Sequence, residues 1–315
     1  MMSGNATPSQ MGAFLMALRV RGESVDEITG GVLAMRDRMT KLKPPSGAMD
    51  IVGTGGDGLG TLNISTATTF VVAGCGVPIA KHGNRAASSK SGTTDVQSAV
   101  GINVDAEFSV VQAALDEAGL CFMAAQRHHG AMRNVGPTRV EMGTRTIFNI
   151  LGPMSNPAEV KRQLIGVFSR KWLRPMAESL KTLGSEKIWV VHGSDGTDEI
   201  TSTGPTFVAA LENGEISEFE ISPDQASIPV ATLADLKGGD IKENAAAVTA
   251  LLDGALGPYR DVVLLNAAAA LMIADKVDNL SKGVELAACS IDDGHAKKKL
   301  QQLVEITNRT SPDKA

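Results

Sequence analysis

Met49-Asp50-Ile51-Val52-Gly53-Thr54-Gly55-Gly56-Asp57-Gly58 is a short strand running straight into glycines, and Asn63-Ile64-Ser65-Thr66 behind it heads an apolar segment of helical character, Thr66 to Cys75. Val77 to Ala80 reads as the next strand. Further short apolar runs at Leu120 to Ala124, Leu164 to Phe168 and Ile188 to Val191 alternate with helix-length stretches around Phe108 to Ala118 and Trp172 to Leu183. This alternation predicts a mostly parallel central sheet flanked by helices, an α/β fold. Two antiparallel strands, Phe207 to Leu211 and Glu215 to Ile221, are expected on either side of the Asn213-Gly214 turn. Beyond them the chain reads as helical. Tyr259 to Asp275 is a helix buried on most sides, and the residues after Arg309 are a frayed tail.

Upstream of the glycines the pattern is purely helical. Thr7-Pro8 caps a first helix with Met11, Phe14, Leu15 and Leu18 on one face, and the Ser24-x-x-Glu27 capping box opens a second with Val25, Ile28, Val32 and Met35 inward. The second helix stops before Lys43-Pro44-Pro45.

The 315 residues are 43% hydrophobic, enough for a substantial core. Lys and Arg number 30 against 35 Asp and Glu, so the net charge of -5 offers no general basic field for a nucleic-acid backbone, and an anionic ligand needs a local site. Cys75, Cys121 and Cys289 lie in apolar stretches without CxxC spacing and read as buried reduced thiols. The longest apolar run, Val262 to Ala274, is shorter than the ~20 residues that span a bilayer, and the N-terminus lacks a basic and apolar leader pattern. A cytoplasmic protein is expected.

Four clusters carry chemistry. Glycines let the backbone approach an anion, and the N–H groups at a helix start, with the Ser65 and Thr66 hydroxyls, suit phosphate oxygens; the same glycines also serve simply as a tight strand-to-helix turn. Neither the dinucleotide spacing nor the Walker lysine is present. Lys81-His82-Gly83-Asn84-Arg85 follows the second strand, with Ser88, Ser89, Lys90, Ser91, Gly92 and Thr93 behind it. Adjacent strand ends face one crevice in a doubly wound sheet, so these groups are expected near the glycine loop, where together they suit a polyanion. Taken singly, the cations read as solvated loop charges and His82 as a hydrogen-bonded structural histidine. His128-His129, Arg133 and Arg139 offer rings and a planar guanidinium fork for a small carboxylate ligand. Asp198-Glu199, after the strand ending at His192, is either a magnesium site or ordinary surface charge.

In this order the clusters closely resemble the anthranilate phosphoribosyltransferase family, together with Arg145-Thr146-Ile147-Phe148-Asn149 leading into Leu151-Gly152-Pro153. The similarity runs from about Thr7 to about Asn308. The resemblance implies a small all-helical domain, residues 1–45 with an insertion at about 130–158, and a larger α/β domain of residues 46–129 and 159–315. It also implies a homodimer formed through the small domains. The implied reaction moves the 5-phosphoribosyl group of phosphoribosyl pyrophosphate to the amine of anthranilate, giving N-(5-phosphoribosyl)anthranilate and pyrophosphate in tryptophan biosynthesis.

Carried over by position, Gly53, Thr54, Gly55, Gly56, Asp57, Thr61, Asn63, Ser65, Thr66, Lys81, Ser91 and Thr93 correspond to donor-binding positions. Gly53, His82, Asn84, His129 and Arg139 correspond to anthranilate-binding positions, with Arg139 on the carboxylate. Ser65, Asp198 and Glu199 correspond to the magnesium site, and Lys81, Asp198 and Glu199 to the catalytic set. Two departures stand out. Gly130 replaces the family's usual proline after the histidine, loosening that loop, and the chain starts close to Thr7, where the family usually carries more helix. A truncated start or a reduced dimer face is the expectation.

Overall fold

The computed structural model describes residues 1–84 and 92–309. Arg85, Ser88, Ser89, Lys90, Ser91 and the tail beyond Arg309 lie outside the described residues. Seven strands form one sheet: β1 (Met49–Gly53), β2 (Ile79–Gly83), β3 (Leu120–Ala124), β4 (Arg162–Gly166), β5 (Lys187–Gly193), β6 (Thr206–Glu212) and β7 (Glu215–Ile221). Their order is β3-β2-β1-β4-β5-β6-β7, with β1 to β5 parallel and β6 and β7 antiparallel. From β1 the chain builds outward to β3, then returns to add β4 on the other side. The carboxyl ends of β1 and β4 therefore flank the topological switch point, where such sheets place their ligands.

Local signals explain most elements. Thr7 and Gln10 close a capping box on the helix Pro8–Arg21, and Ser24 and Glu27 do the same for Val25–Arg36. Gly119, in the left-handed region, ends Phe108–Ala118. Asn213 and Gly214, with φ of 52° and 77°, turn β6 into β7.

The core lies on both faces of the sheet. One cluster packs Ile51, Ile79 and Leu120 under Phe70, Val71, Leu265 and Ala269. The other joins Leu15, Ile28 and Val32 of the N-terminal helices to Ile165, Val190, Met176 and Leu180, so the helical segment shares its core with the sheet. Thr29 Oγ1 and Ser179 Oγ, 2.9 Å apart, tie the two sides.

Three expectations are corrected. Phe14 has the helical spacing of a core residue but is 51% exposed, since Met11, Leu15 and Leu18 fill the buried stripe of this helix and Phe14 falls to its side. The second strand starts two residues later, at Ile79, because Val77 and Pro78 form the lead-in from the preceding helix. Of the cysteines only Cys121 is buried; Cys75 is half-buried and Cys289 exposed. No helix among the described residues is long and apolar enough to cross a membrane.

Candidate functional site

The loop after β5 delivers two carboxylates to the switch point. Asp195 braces this loop by accepting from the hydroxyls of Thr197, Thr201 and Thr203 at 2.6–2.8 Å. Asn266, on the buried helix Pro258–Ile273, holds Ile200 from both sides, accepting its N–H at 3.1 Å and donating to its carbonyl at 2.7 Å. Asp198 is thereby pressed into the end of the sheet, into space that exists only because Gly53 and Gly166 lack side chains. A methyl on Gly53 would overlap the Asp198 carboxylate, and one on Gly166 its carbonyl.

The glycine loop and the helix behind it meet these carboxylates directly. The Gly55 N–H donates to Asp198 Oδ2 at 2.6 Å, and the Ser65 N–H, at the start of Ile64–Gly74, donates to Glu199 Oε1 at 3.2 Å. Thr54 is anchored to the end of β4: its N–H donates to the Gly166 carbonyl at 2.9 Å, and its hydroxyl accepts the Phe168 N–H at 3.0 Å. Asn63 is held by Tyr259, whose hydroxyl donates to its carbonyl at 3.0 Å, and by the Asn244 amide at 3.0 Å.

Lys81 is 1% exposed, donates to the Ile51 carbonyl and interacts with Asp50, Glu199 and Asp198. Burial pulls its pKa down while the three carboxylates push it up. Burial raises Asp198 to about 6, helped by the charge of Asp57, with the Gly55 N–H opposing. Burial likewise raises Glu199 to about 8, with Asp198 adding to the rise and Lys81 opposing it. Acidic groups crowded enough to raise one another's proton affinity favour a cation between them. Among the described residues no group of three or more His, Cys, Asp or Glu side chains is arranged to hold a metal ion by themselves. Magnesium characteristically takes one or two carboxylates and completes its shell with water and substrate phosphates. The donor set, hard carboxylate oxygens beside the Ser65 hydroxyl, fits that ion.

A second group lies between the sheet and the helical segment. His82 and His129 are both buried, with ring centroids 5.1 Å apart. Burial holds His82 well below its ordinary value, and takes His129 down to about 4 with help from His128. His82 Nδ1 donates to the Gly152 carbonyl at 3.2 Å, which leaves Nε2 as a bare acceptor without a partner among the described residues. Arg139 is half-buried, lies over the Phe148 ring at 5.2 Å and makes no ion pair among the described residues.

Not every expected residue joins these groups. Thr61 sits in an isolated bridge with Lys237. Thr66 is fully buried with its hydroxyl unpartnered. Thr93 packs its methyl against Gly83, Asn84 is exposed, and Ser91 lies outside the described residues. Sequence reasoning missed Asp50, Asn156 and Asn266; Asp50 and Asn266 were signalled by a lone polar residue inside an apolar run, whereas Asn156, in Ser155-Asn156-Pro157, carried no such signal. It also missed the reach of Arg145, which donates to the Gly56 carbonyl and lies 4.1 Å from the Phe168 ring centroid.

Comparison with known proteins gives one answer along the whole chain. The family described as glycosyl transferase family, a/b domain, matches residues 46–297, and its helical bundle domain matches residues 1–39. The chain is 61% identical over 307 residues to an anthranilate phosphoribosyltransferase of Rhodopseudomonas palustris (strain BisB5), covering 98% of this chain and 91% of that one. It is 59% identical over 308 residues, with the same coverage, to that of Nitrobacter hamburgensis. The crystal structure of anthranilate phosphoribosyltransferase from Thermus thermophilus superimposes with a TM-score of 0.93 at 41% identity, covering 98% of this chain and 92% of that one. The Saccharomyces cerevisiae enzyme, solved in complex with phosphoribosyl pyrophosphate and magnesium, gives 0.88 at 28% identity over 95% and 85%.

Proposed function

The chain belongs to the anthranilate phosphoribosyltransferase family, and on that premise we propose that its switch-point crevice holds phosphoribosyl pyrophosphate while the His82–His129 side receives anthranilate. The observation that carries this reading is the meeting of Gly55, Ser65 and Lys81 with Asp198 and Glu199 at one end of the sheet.

Substitution at the ribose anomeric carbon passes through a loose, oxocarbenium-like state in which negative charge gathers on the departing pyrophosphate. The N–H groups of Gly55 and Ser65 fix the two carboxylates that border the space such a leaving group would fill, and the Lys81 ammonium, set among Asp50, Glu199 and Asp198, adds positive charge there. Asp198 and Glu199, with the Ser65 hydroxyl, would hold magnesium, which supplies charge neutralisation to the diphosphate when bound. Gly53, Gly56, Asp57 and Asn63 belong to the same proposed donor site, with Thr54 anchoring its loop, and Thr66 and Thr93 are kept with them on the resemblance alone. Thr61 and Ser91 are kept as donor residues on the resemblance alone.

Anthranilate's amine is uncharged near neutral pH and attacks without prior deprotonation, so no strong base is required. His82 Nε2, neutral and bare, is the proposed acceptor of the proton released after transfer. Arg139, a cation free of carboxylate partners among the described residues, is the proposed partner of the anthranilate carboxylate; His129 lies against His82, and Asn84 is kept on this side on the resemblance alone.

The reading includes the two-domain division given above; the separate family matches at residues 1–39 and 46–297 support a boundary near residue 45, and the insertion at about 130–158 rests on the resemblance alone. It includes a homodimer, supported by Phe14, Val20, Leu33 and Val140, large apolar side chains left exposed on the helical segment, and a cytoplasmic location, which rests on the resemblance alone. The test is to mix the purified chain with anthranilate, phosphoribosyl pyrophosphate and magnesium. Pyrophosphate release matching the loss of anthranilate fluorescence supports the reading; release without anthranilate consumption overturns it.

A further inference from the structure

Adjacent parallel strands ordinarily exchange evenly spaced backbone hydrogen bonds along their shared length. β1 does so with β4 from Met49↔Arg162 to Gly53↔Gly166, and β2 with β3 from Ile79↔Leu120 to Gly83↔Ala124. Between β1 and β2, however, pairing is confined to Met49↔Ile79. Past that point two oppositely charged side chains take up the backbone groups. Asp50 Oδ1 accepts the His82 N–H at 3.1 Å, and Lys81 Nζ donates to the Ile51 carbonyl. Left unpaired at this depth, each group would cost about as much as a lost hydrogen bond.

The second Asp50 oxygen is also committed. It accepts from Asn156 Nδ2 at 2.7 Å, and the same nitrogen donates to the Ala80 carbonyl at 2.8 Å, so Asn156 links the β1 carboxylate to the β2 backbone. Asn156 Oδ1 is fixed in turn by the Ala158 N–H at 2.8 Å. Asp50 and Asn156 are at most 1% exposed. For stability alone, a complete strand ladder between apolar side chains would serve at least as well as a buried carboxylate. The carboxylate's distinctive effect is geometric, because the separation begins one residue before Lys81 and His82 leave β2.

We propose that Asp50 is a positioning residue for the transfer reaction: clamped by the His82 N–H and the Asn156 amide, it holds β1 and β2 apart so that Lys81 and His82 are set correctly at the crevice. This rests on the function proposed above. Asp50 touches neither substrate and acts through its two neighbours on β2.

The test compares Asp50→Asn, Asn156→Ser and the exchange variant Asp50→Asn with Asn156→Asp, all as full-length chains. Asp50→Asn sets two amides against each other, whereas the exchange restores one amide–carboxylate contact in the opposite sense. Displacing reacting groups by a fraction of an ångström costs up to about 100-fold in rate, so Asp50→Asn is expected to lower kcat by about that factor while both KM values stay within about threefold. Asn156→Ser, which deletes only the orienting amide, is expected to give a smaller kcat loss, and the exchange to recover about tenfold. The proposal is overturned if folded Asp50→Asn keeps wild-type kcat. It is equally overturned if activity falls only in proportion to the folded fraction seen by circular dichroism, with no recovery in the exchange variant. Wild-type protein that does not consume anthranilate defeats the underlying function and this inference with it, whereas active wild type with an unaffected variant defeats this inference alone.

Discussion

The Asp198 carboxylate accepts the Gly55 N–H at 2.6 Å across 143 residues of sequence, joining the loop after β1 to the loop after β5. This bond makes the crevice one site instead of two neighbouring loops. Asp198 also interacts with the Asp57 carboxylate, so two acidic side chains meet at this point, the kind of crowding that a cation relieves beside phosphates.

Removing both charges, with Asp198→Asn and Glu199→Gln together, is expected to lower kcat by about ten-thousandfold at fixed magnesium, since preorganised groups of this kind are worth about 3 kcal/mol each. Initial rates over a magnesium titration measure it. A rate within about threefold of wild type at every concentration would remove the metal assignment.

Gly53→Ala tests the seat of Asp198. The added methyl meets the Asp198 carboxylate, which has to swing away from Gly55. The expected result is a rise of about tenfold or more in the magnesium concentration needed for half-maximal rate, with a modest fall in melting temperature. An unaltered magnesium requirement would show that this carboxylate position is unimportant.

Arg139→Ala is expected to raise the KM for anthranilate by about tenfold or more while leaving that for phosphoribosyl pyrophosphate within about twofold, because a charge-assisted pair contributes to one substrate only. Steady-state kinetics with each substrate varied in turn decide this. A larger effect on the donor would show that the two substrate sides are reversed.

The buried charge at Asp50 has a stability signature separate from its effect on rate. Burial raises its pKa from the ordinary 3.8 to about 6, with Lys81 and the Asn156 amide opposing. A carboxyl whose folded pKa lies above its unfolded one binds its proton more tightly in the native state. Its favourable contribution is therefore complete below about pH 4 and is lost as pH rises through about 6. The loss amounts to about 3 kcal/mol. Asp50→Asn carries no such term, so its stability relative to wild type is expected to improve between about pH 4.5 and about pH 7.5. Urea denaturation at both pH values measures the difference, and a constant offset would mean Asp50 does not titrate there.

Much of this site was legible because its chemistry is local. The glycine run after β1, the helix start at Ser65, Lys81 in the last half of β2 and the acidic pair after β5 each lie toward a strand's carboxyl end, and the sheet order then brings them together. The relations that hold the site were not legible. That β1 and β2 part after one residue pair, and that Asn156 fills the gap, depends on contacts 76 and 106 residues away in the chain. Asn266 is similar: its register on a nearly all-apolar helix says only that it is buried, and its partner Ile200 lies 66 residues away. Phe14 fails for a different reason, because helical spacing assigns a face without saying how far the neighbouring surface extends.

The central claim is that one pocket, its Asp198 and Glu199 carboxylates fixed by the Gly55 and Ser65 N–H groups, uses the Lys81 ammonium and a cation on those carboxylates to hold a diphosphate. Calorimetric titration with phosphoribosyl pyrophosphate, with and without magnesium, tests it most directly. In wild type the donor should bind at least about tenfold more tightly with magnesium, a coupling of about 1.4 kcal/mol, and Asp198→Asn with Glu199→Gln should abolish that coupling. Equal affinity with and without the ion in wild type, or full coupling surviving in the variant, would contradict it.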